Sequence, residues 1–296
     1  MTPQDFEFIA SLLKEHSGFS LVPSQLYLLE SRLGPVLRQN NLIGLEDLVT
    51  SLKLNNVELR KSVIEAVSVN NTRFFRNKYV FNTIENFLSN KLRQNPNIPH
   101  VRILSAGCAS GQEPVSIALL LHEMKLVPKI PLTIYALDMS RTMIERAKKA
   151  LYSHYEVQKG LPIRLLLKYF TLCPNDHWHL NADVLKDIHY QVHNLMNLFD
   201  ENDFDIVLCR NMLSFMTEEA QDTALLNLSQ IMNQDGLLII GASEVLHDNP
   251  YFEKVPDKIA CYRLRSTQDQ KVAKRINALG WNFSKKPLFK SALSEK

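Results

Sequence analysis

Four places in this 296-residue chain carry residues whose types and spacing can do chemistry. Asn70-Asn71-Thr72-Arg73-Phe74-Phe75-Arg76 sets amides, a hydroxyl and two guanidiniums around a Phe-Phe pair. It reads either as a helix N-cap at Thr72 with a hydrophobic anchor, or as a loop that offers donors and a guanidinium to an anion. Leu104–Glu113 (LSAGCASGQE) places Gly107 and Gly111 between the apolar run Val101–Leu104 and the helix-like run Pro114–Leu121. A strand, a small-residue turn and a helix start let the backbone approach a bulky polar ligand. The spacing is neither a dinucleotide fingerprint nor a Walker A loop, and a tight turn in any α/β domain is the rival reading. Asp138 ends the next apolar run, where a carboxylate can accept from ribose hydroxyls or cap the helix near Ser140; the two are compatible. Arg210 and Asn211 follow the apolar run Phe204–Cys209, at the strand end where open α/β sheets bind ligands. A charge directly after a buried strand needs water or a partner.

The elements that must position these residues fall in a regular order. Residues 3–90 read as helical, with Phe6, Ile9, Leu12 and Leu13 on one face and Leu26, Leu29, Leu33 and Leu37 on another. Lys78–Lys91 is a further helix, and the turn-rich Gln94–His100 marks entry to an alternating region. There the pattern predicts strand 101–106, helix 114–124, strand 132–137, helix 140–151, strand 204–209, helix 218–232 and strand 236–242. Such alternation implies a mostly parallel sheet covered on both faces. Residues 158–196 are less regular, and Trp178–Leu180 with Ile188–Val192 read as two strands of a small antiparallel excursion. The expected fold is α/β class: a helical N-terminal domain and linker over 1–92, an α/β domain over 93–264 with the excursion at about 171–193, and a basic, flexible tail over 265–296.

Composition narrows the function classes. The apolar fraction of 45% suits a globular core, no run reaches membrane-spanning length, and residues 1–20 lack a signal peptide's charge order. A cytoplasmic protein, without membrane insertion and acting as a monomer, is expected. Cys108, Cys173, Cys209 and Cys261 form no C-x-x-C pair. His177, His179, His189 and His193 match no ligand spacing, so no metal site is expected. The net charge of +3 is concentrated in residues 265–296, with eight Lys and Arg against two acidic residues. The body is mildly acidic, which argues against nucleic acid as a partner.

Taken together, the motifs resemble those of the CheR family of chemotaxis receptor methyltransferases, over about Phe6 to Leu264. Residues 70–76 are similar to that family's N-E-T-x-F-F-R, and Ala106–Pro114 to its GC-S/T-GEEP turn. Leu208–Asn211 resembles its F-C-R-N, and Gly241-Ala242-Ser243-Glu244 its G-x-S-E turn. The resemblance implies a Rossmann-like domain that uses S-adenosyl-L-methionine (SAM, giving S-adenosyl-L-homocysteine, SAH). It implies esterification of glutamate side chains on the cytoplasmic helices of chemoreceptors. By position, Asn70, Thr72 and Arg76 would meet the amino-acid end and sulfonium of SAM, alongside Gly107 and Glu113. Asp138 would meet the ribose, Asn194 and Leu195 the adenine, and Arg210 and Asn211 the pocket floor. Arg76 is the expected catalytic residue, either steering the glutamate carboxylate or binding that of the methionine. Phe215 stands where the family commonly has a Tyr near the transferred methyl. Asn71 replaces a Glu and Val115 a Tyr, and the α-helical Ser24–Asn40 carries a weak basic patch. The missing hydroxyl of Phe215 raises a second reading, a SAM-binding sensor or scaffold with little or no catalysis.

Overall fold

A computed structural model describes residues 2–54, 56–68, 71–126, 130–247 and 249–266. Asn70 and the tail from 267 onward lie outside them. Four helices come first: α1 (Pro3–Ser17), α2 (Leu26–Gln39), α3 (Leu45–Lys53) and α4 (Val57–Val67). Local chemistry sets their ends. Thr2 and Asp5 form a capping box on α1, Gly18 closes it in the left-handed region at φ 70°, and the Asn56 side chain caps α4. The helices bury Ile9, Leu13, Leu29, Leu33, Leu48, Leu52 and Val63 in a core of their own.

Helix α5 (Lys78–Gln94) follows, and then the α/β layer: β1 (Val101–Ala106), α6 (Gln112–Glu123), β2 (Leu132–Asp138) and α7 (Arg141–Lys149). Next come β3 (Leu151–Ser153), α8 (His154–Gln158), α9 (Ile163–Tyr169), β4 (Phe170–Cys173), β5 (His177–Leu180) and α10 (Ala182–Leu185). The chain ends with β6 (Ile188–Val192), β7 (Phe204–Cys209), α11 (Glu218–Ile231), β8 (Met232–Ile240), β9 (Phe252–Lys254) and β10 (Cys261–Leu264). The main sheet runs β6-β2-β1-β7-β8-β10-β9, parallel as far as β8, with β10 antiparallel to both its neighbours. From β1 the chain crosses to β2 on one side, and β7 lies on the other. The crevice at the carboxyl ends of β1 and β7 is therefore the switch point at which such sheets take ligands.

Two expectations need correction. Helix α5 does not belong with the N-terminal helices, because Val80, Phe81, Ile84 and Leu88 pack into the core of the α/β layer. Ile188–Val192 is not part of the excursion. It is the edge strand of the main sheet, parallel to β2, and the small sheet is instead β3-β5-β4.

The helical unit is fastened to the α/β layer at two points. Glu65 of α4 sits at the start of α7, accepting from Thr142 Oγ1 at 2.8 Å, from the N–H groups of Arg141 and Thr142, and from Ser140 Oγ. A carboxylate at a helix N-terminus is stabilised by the unpaired amides there. The segment after α1 pairs with the segment before α11: Ser20 N–H donates to Phe215 O and Thr217 N–H to Gly18 O, each at 2.8 Å. Glu65→Ala removes one anchor, an interaction of about 1 kcal/mol, or about fivefold in the docking equilibrium. Limited proteolysis between α4 and α5 is expected to accelerate by that order, with far-UV dichroism unchanged.

Candidate active site

The turn after β1 is shaped by three left-handed residues, Gly107 (φ 78°), Ala109 (φ 47°) and Gly111 (φ 92°). Its first two amides, of Gly107 and Cys108, donate to the Leu137 carbonyl, which holds the turn against the end of β2. Above it lies a cleft of two lobes that share Gly107, Asn211, Met212 and Phe215 as their common wall. The first lobe is lined by Asp138 and Met139, by Asn194 and Leu195, and by Ser17, Phe19 and Ser68 of the helical unit. The second is lined by Thr72, Arg73, Arg76, Glu113, Arg210 and Ser243.

Asp138 is buried, and each carboxylate oxygen takes one backbone N–H: Ala109 on Oδ2 and Ser140 on Oδ1, both at 2.9 Å. The cap of α7 is Ser140, whose hydroxyl accepts from Met143 N–H, so Asp138 keeps lone pairs for a ligand. Burial raises the Asp138 carboxyl above its ordinary range, and the two N–H groups draw it part-way back. The Asn194 amide is committed to the fold: Nδ2 donates to the His16 carbonyl at 2.7 Å and Oδ1 accepts from Met196 N–H. Leu195 is buried beside it.

The Asn71–Asn77 segment is a turn and not a helix, with Phe75 and Asn77 at positive φ, so Thr72 caps nothing and the Arg73–Arg76 spacing has no helical face. Phe74 is fully buried, edge-on to Tyr152 at 5.0 Å and to Phe170 at 6.0 Å, while Phe75 packs on Phe81. The two rings anchor the segment, and Arg73 and Arg76 flank the anchor on the cleft side. Arg76 donates to the Asn71 carbonyl at 2.9 Å. Its own burial, then the nearby Arg210 and Arg73, lower its pKa against the pull of Glu113 and Glu244.

Arg210 does more than floor the pocket. Its side chain is 3% exposed and donates to Glu113 Oε2 at 2.7 Å, to the Arg76 carbonyl at 2.8 Å and to Asn77 Oδ1 at 2.7 Å. Glu113 Oε1 accepts from Ser105 Oγ at 2.7 Å. The structure thus brings Thr72, Arg76, Gly107, Glu113, Asp138, Asn194, Leu195, Arg210, Asn211 and Phe215 into one cleft. Asn70 is outside the described residues. Sequence reasoning missed the helical unit's share, Ser17, Phe19 and Ser68, and also Met139 and Met212. Nothing in their types marks them; only Met139, adjacent to Asp138, carried a positional cue.

Strand order, the glycine turn and the carboxylate at the end of β2 define the class, a SAM-dependent methyltransferase. Residues 70–261 match the SAM binding domain of CheR methyltransferases and residues 4–68 their all-alpha domain, so the chain belongs to the CheR methyltransferase family. It is 30% identical over 253 residues to chemotaxis protein methyltransferase Cher2 of Pseudomonas putida, covering 83% of this chain and 92% of that one. It is 29% identical over 251 residues to chemotaxis protein methyltransferase 1 of Pseudomonas aeruginosa, with the same coverage. The chemotaxis protein methyltransferase of Borreliella burgdorferi is 26% identical over 267 residues, 86% of this chain and 93% of the other.

At Gly107 an added Cβ would lie 1.9 Å from Met212 Sδ, at a φ of 78° that disfavours any side chain. Left-handed backbone alone costs roughly 1–2 kcal/mol for a non-glycine residue. Gly107→Ala is expected to lower the melting temperature by several degrees and to weaken SAH binding at least ~10-fold, read by calorimetric titration.

Proposed function

We propose that this chain transfers the methyl group of SAM to glutamate carboxylates on chemoreceptor cytoplasmic helices, forming methyl esters. The observation that carries the reading is the second lobe. Arg73 and Arg76 line it beside the buried Arg210, and it meets the Asp138 lobe across Gly107, Met212 and Phe215. Like charges crowded around Arg76 are relieved by an incoming anion.

The residues fit SAM. Gly107 lets the Met212 side chain pack directly on the turn in the wall the two lobes share, and Asp138 has lone pairs for ribose hydroxyls. Met139 and Leu195 offer apolar surface for the adenine, and Thr72 with the arginines can meet the amino-acid end. When bound, SAM supplies an activated methyl on a sulfonium with a good leaving group. A glutamate is already ionised at pH 7, so no general base is required. What the chain contributes is orientation and exclusion of water around the carboxylate. Arg76, fixed by the Asn71 carbonyl, holds a carboxylate through a planar fork of donors that Lys cannot reproduce. The exposed Arg73 is the less constrained of the two.

Incubation with radiolabelled SAM and receptor cytoplasmic fragments tests the reading; base-labile label on the fragment supports it. Bound SAM without transfer favours the sensor or scaffold reading, for which Phe215, lacking a hydroxyl in the shared wall, is the specific motive.

Three outcomes are expected. Arg76→Lys lowers methyl transfer at least ~10-fold, about 1.4 kcal/mol in the barrier, with the fold retained by circular dichroism, while Arg73→Lys costs much less. Phe215→Tyr restores a hydrogen bond of about 0.5–1.5 kcal/mol and raises turnover roughly 2- to 10-fold. Because burial raises the Asp138 pKa, SAH affinity falls on acidification at a higher pH than an ordinary Asp would give, and Asp138→Asn shows weaker, pH-independent binding. The stability contribution has the opposite sign: it is full below the ordinary Asp value and is lost as pH rises through the raised one.

A further inference from the structure

The Gly241–Glu244 turn matches a family motif, yet the chemistry above gives it no task. Glu244 is buried, and its carboxylate gathers three backbone N–H groups: Gly241 at 2.7 Å and Asn211 at 2.8 Å on Oε2, and Ser214 at 3.1 Å on Oε1. Its own N–H donates to the Gly241 carbonyl at 3.0 Å, closing the turn. The segment so held, residues 211–215, supplies the wall common to both lobes. It begins with Asn211 in the left-handed region (φ 57°) and ends in a single 3-10 turn, Leu213–Phe215. The helical unit holds the Phe215 end through Ser20 N–H on the Phe215 carbonyl. From the α/β side it is Glu244, on the N–H groups of Asn211 and Ser214, that holds the stretch carrying Met212 and leading into Phe215.

We propose that Glu244 is a positioning residue for methyl transfer: through Asn211 and Ser214 it sets the height and tilt of the wall that carries Met212 and Phe215 between the two lobes. The proposal rests on the methyltransferase reading above. It accounts for the carboxylate and for the glycine together. An ionised acceptor makes stronger bonds to N–H groups than a neutral one. A Gln in its place has one oxygen for three donors and turns an NH2 toward one of them. A Cβ on Gly241 would lie 2.6 Å from Glu244 Oε2 and 3.0 Å from Asn211 N, so the carboxylate reaches the loop only past a glycine.

The test uses the full chain with Glu244→Gln, Gly241→Ala and the double variant. Misplacement of reacting groups by about 1 Å can cost up to ~100-fold, so kcat for a receptor fragment is expected to fall ~10- to 100-fold in each single variant. SAH affinity is expected to stay within about fivefold, since Asp138 is held independently by Ala109 and Ser140. The double variant is expected to be no worse than the poorer single one, as for two changes acting through one contact. Hydrogen–deuterium exchange of residues 211–215 is expected to quicken in Glu244→Gln, with α6 unaltered. Unchanged exchange there overturns the proposal, as does a parallel collapse of kcat, SAH affinity and melting temperature in both single variants. Wild-type protein that transfers no methyl to receptor fragments overturns the glutamate reading and with it the role in transfer, whereas Glu244→Gln that loosens 211–215 without lowering kcat overturns the positioning role alone.

Discussion

The cleft depends on one buried cation. Arg210 stands where a strand buried along its whole length reaches the crevice, and desolvating a guanidinium there is costly unless its donors are met. Its terminal N–H groups are met by three acceptors from two distant parts of the chain: Glu113 in the first turn of α6, and the Arg76 carbonyl with the Asn77 side chain in the segment before α5. The Arg210 Nε finds no acceptor among the described residues. The requirement to satisfy this charge therefore pulls the Asn71–Asn77 segment onto the α/β layer and fixes the backbone from which Arg76 projects.

Around this ion the other forces divide the work. Phe74 and Phe75 give the segment its apolar hold, and Phe75 N–H adds a bond to Ser116 Oγ at 3.0 Å. Gly160 allows the Phe74 carbonyl to approach closely: a Cβ there would sit 2.2 Å from it. The positive φ values of Phe75 and Asn77 are the strain that these contacts hold in place. Of the two readings of this heptapeptide, the hydrophobic anchor holds without the Thr72 cap, and Arg73 and Arg76 line the cleft beside it.

Much of this was legible in the sequence. The boundaries of β1, β7 and α11 follow directly from apolar runs and caps, since Val101–Ala106 and Phe204–Cys209 have the composition of strands buried on both faces. Ile188–Val192 misled because it lies at the edge of the main sheet: four of its five residues retain exposure, and its polar alternation imitates an antiparallel strand. Helix α5 misled for another reason. Periodicity gives the buried face of a helix but not the core it faces. The need of Arg210 for a partner was readable from burial alone, whereas the identity of that partner, a carbonyl 134 residues earlier, was not. Asn194 was expected against a ligand, and its amide holds the helical unit through His16.

The first lobe is walled by both units, with Ser17, Phe19 and Ser68 on one side and Asp138 and Leu195 on the other. Neither unit alone makes that cavity, so a molecule in it is a mortar between them. By mass action, a ligand that recognises only the assembled form adds about 2.7 kcal/mol to the assembly at a hundredfold excess over its dissociation constant. On the proposed reading, in which the methyl donor occupies this lobe, its supply becomes a mechanical variable that sets how firmly the helical layer is seated on the α/β layer.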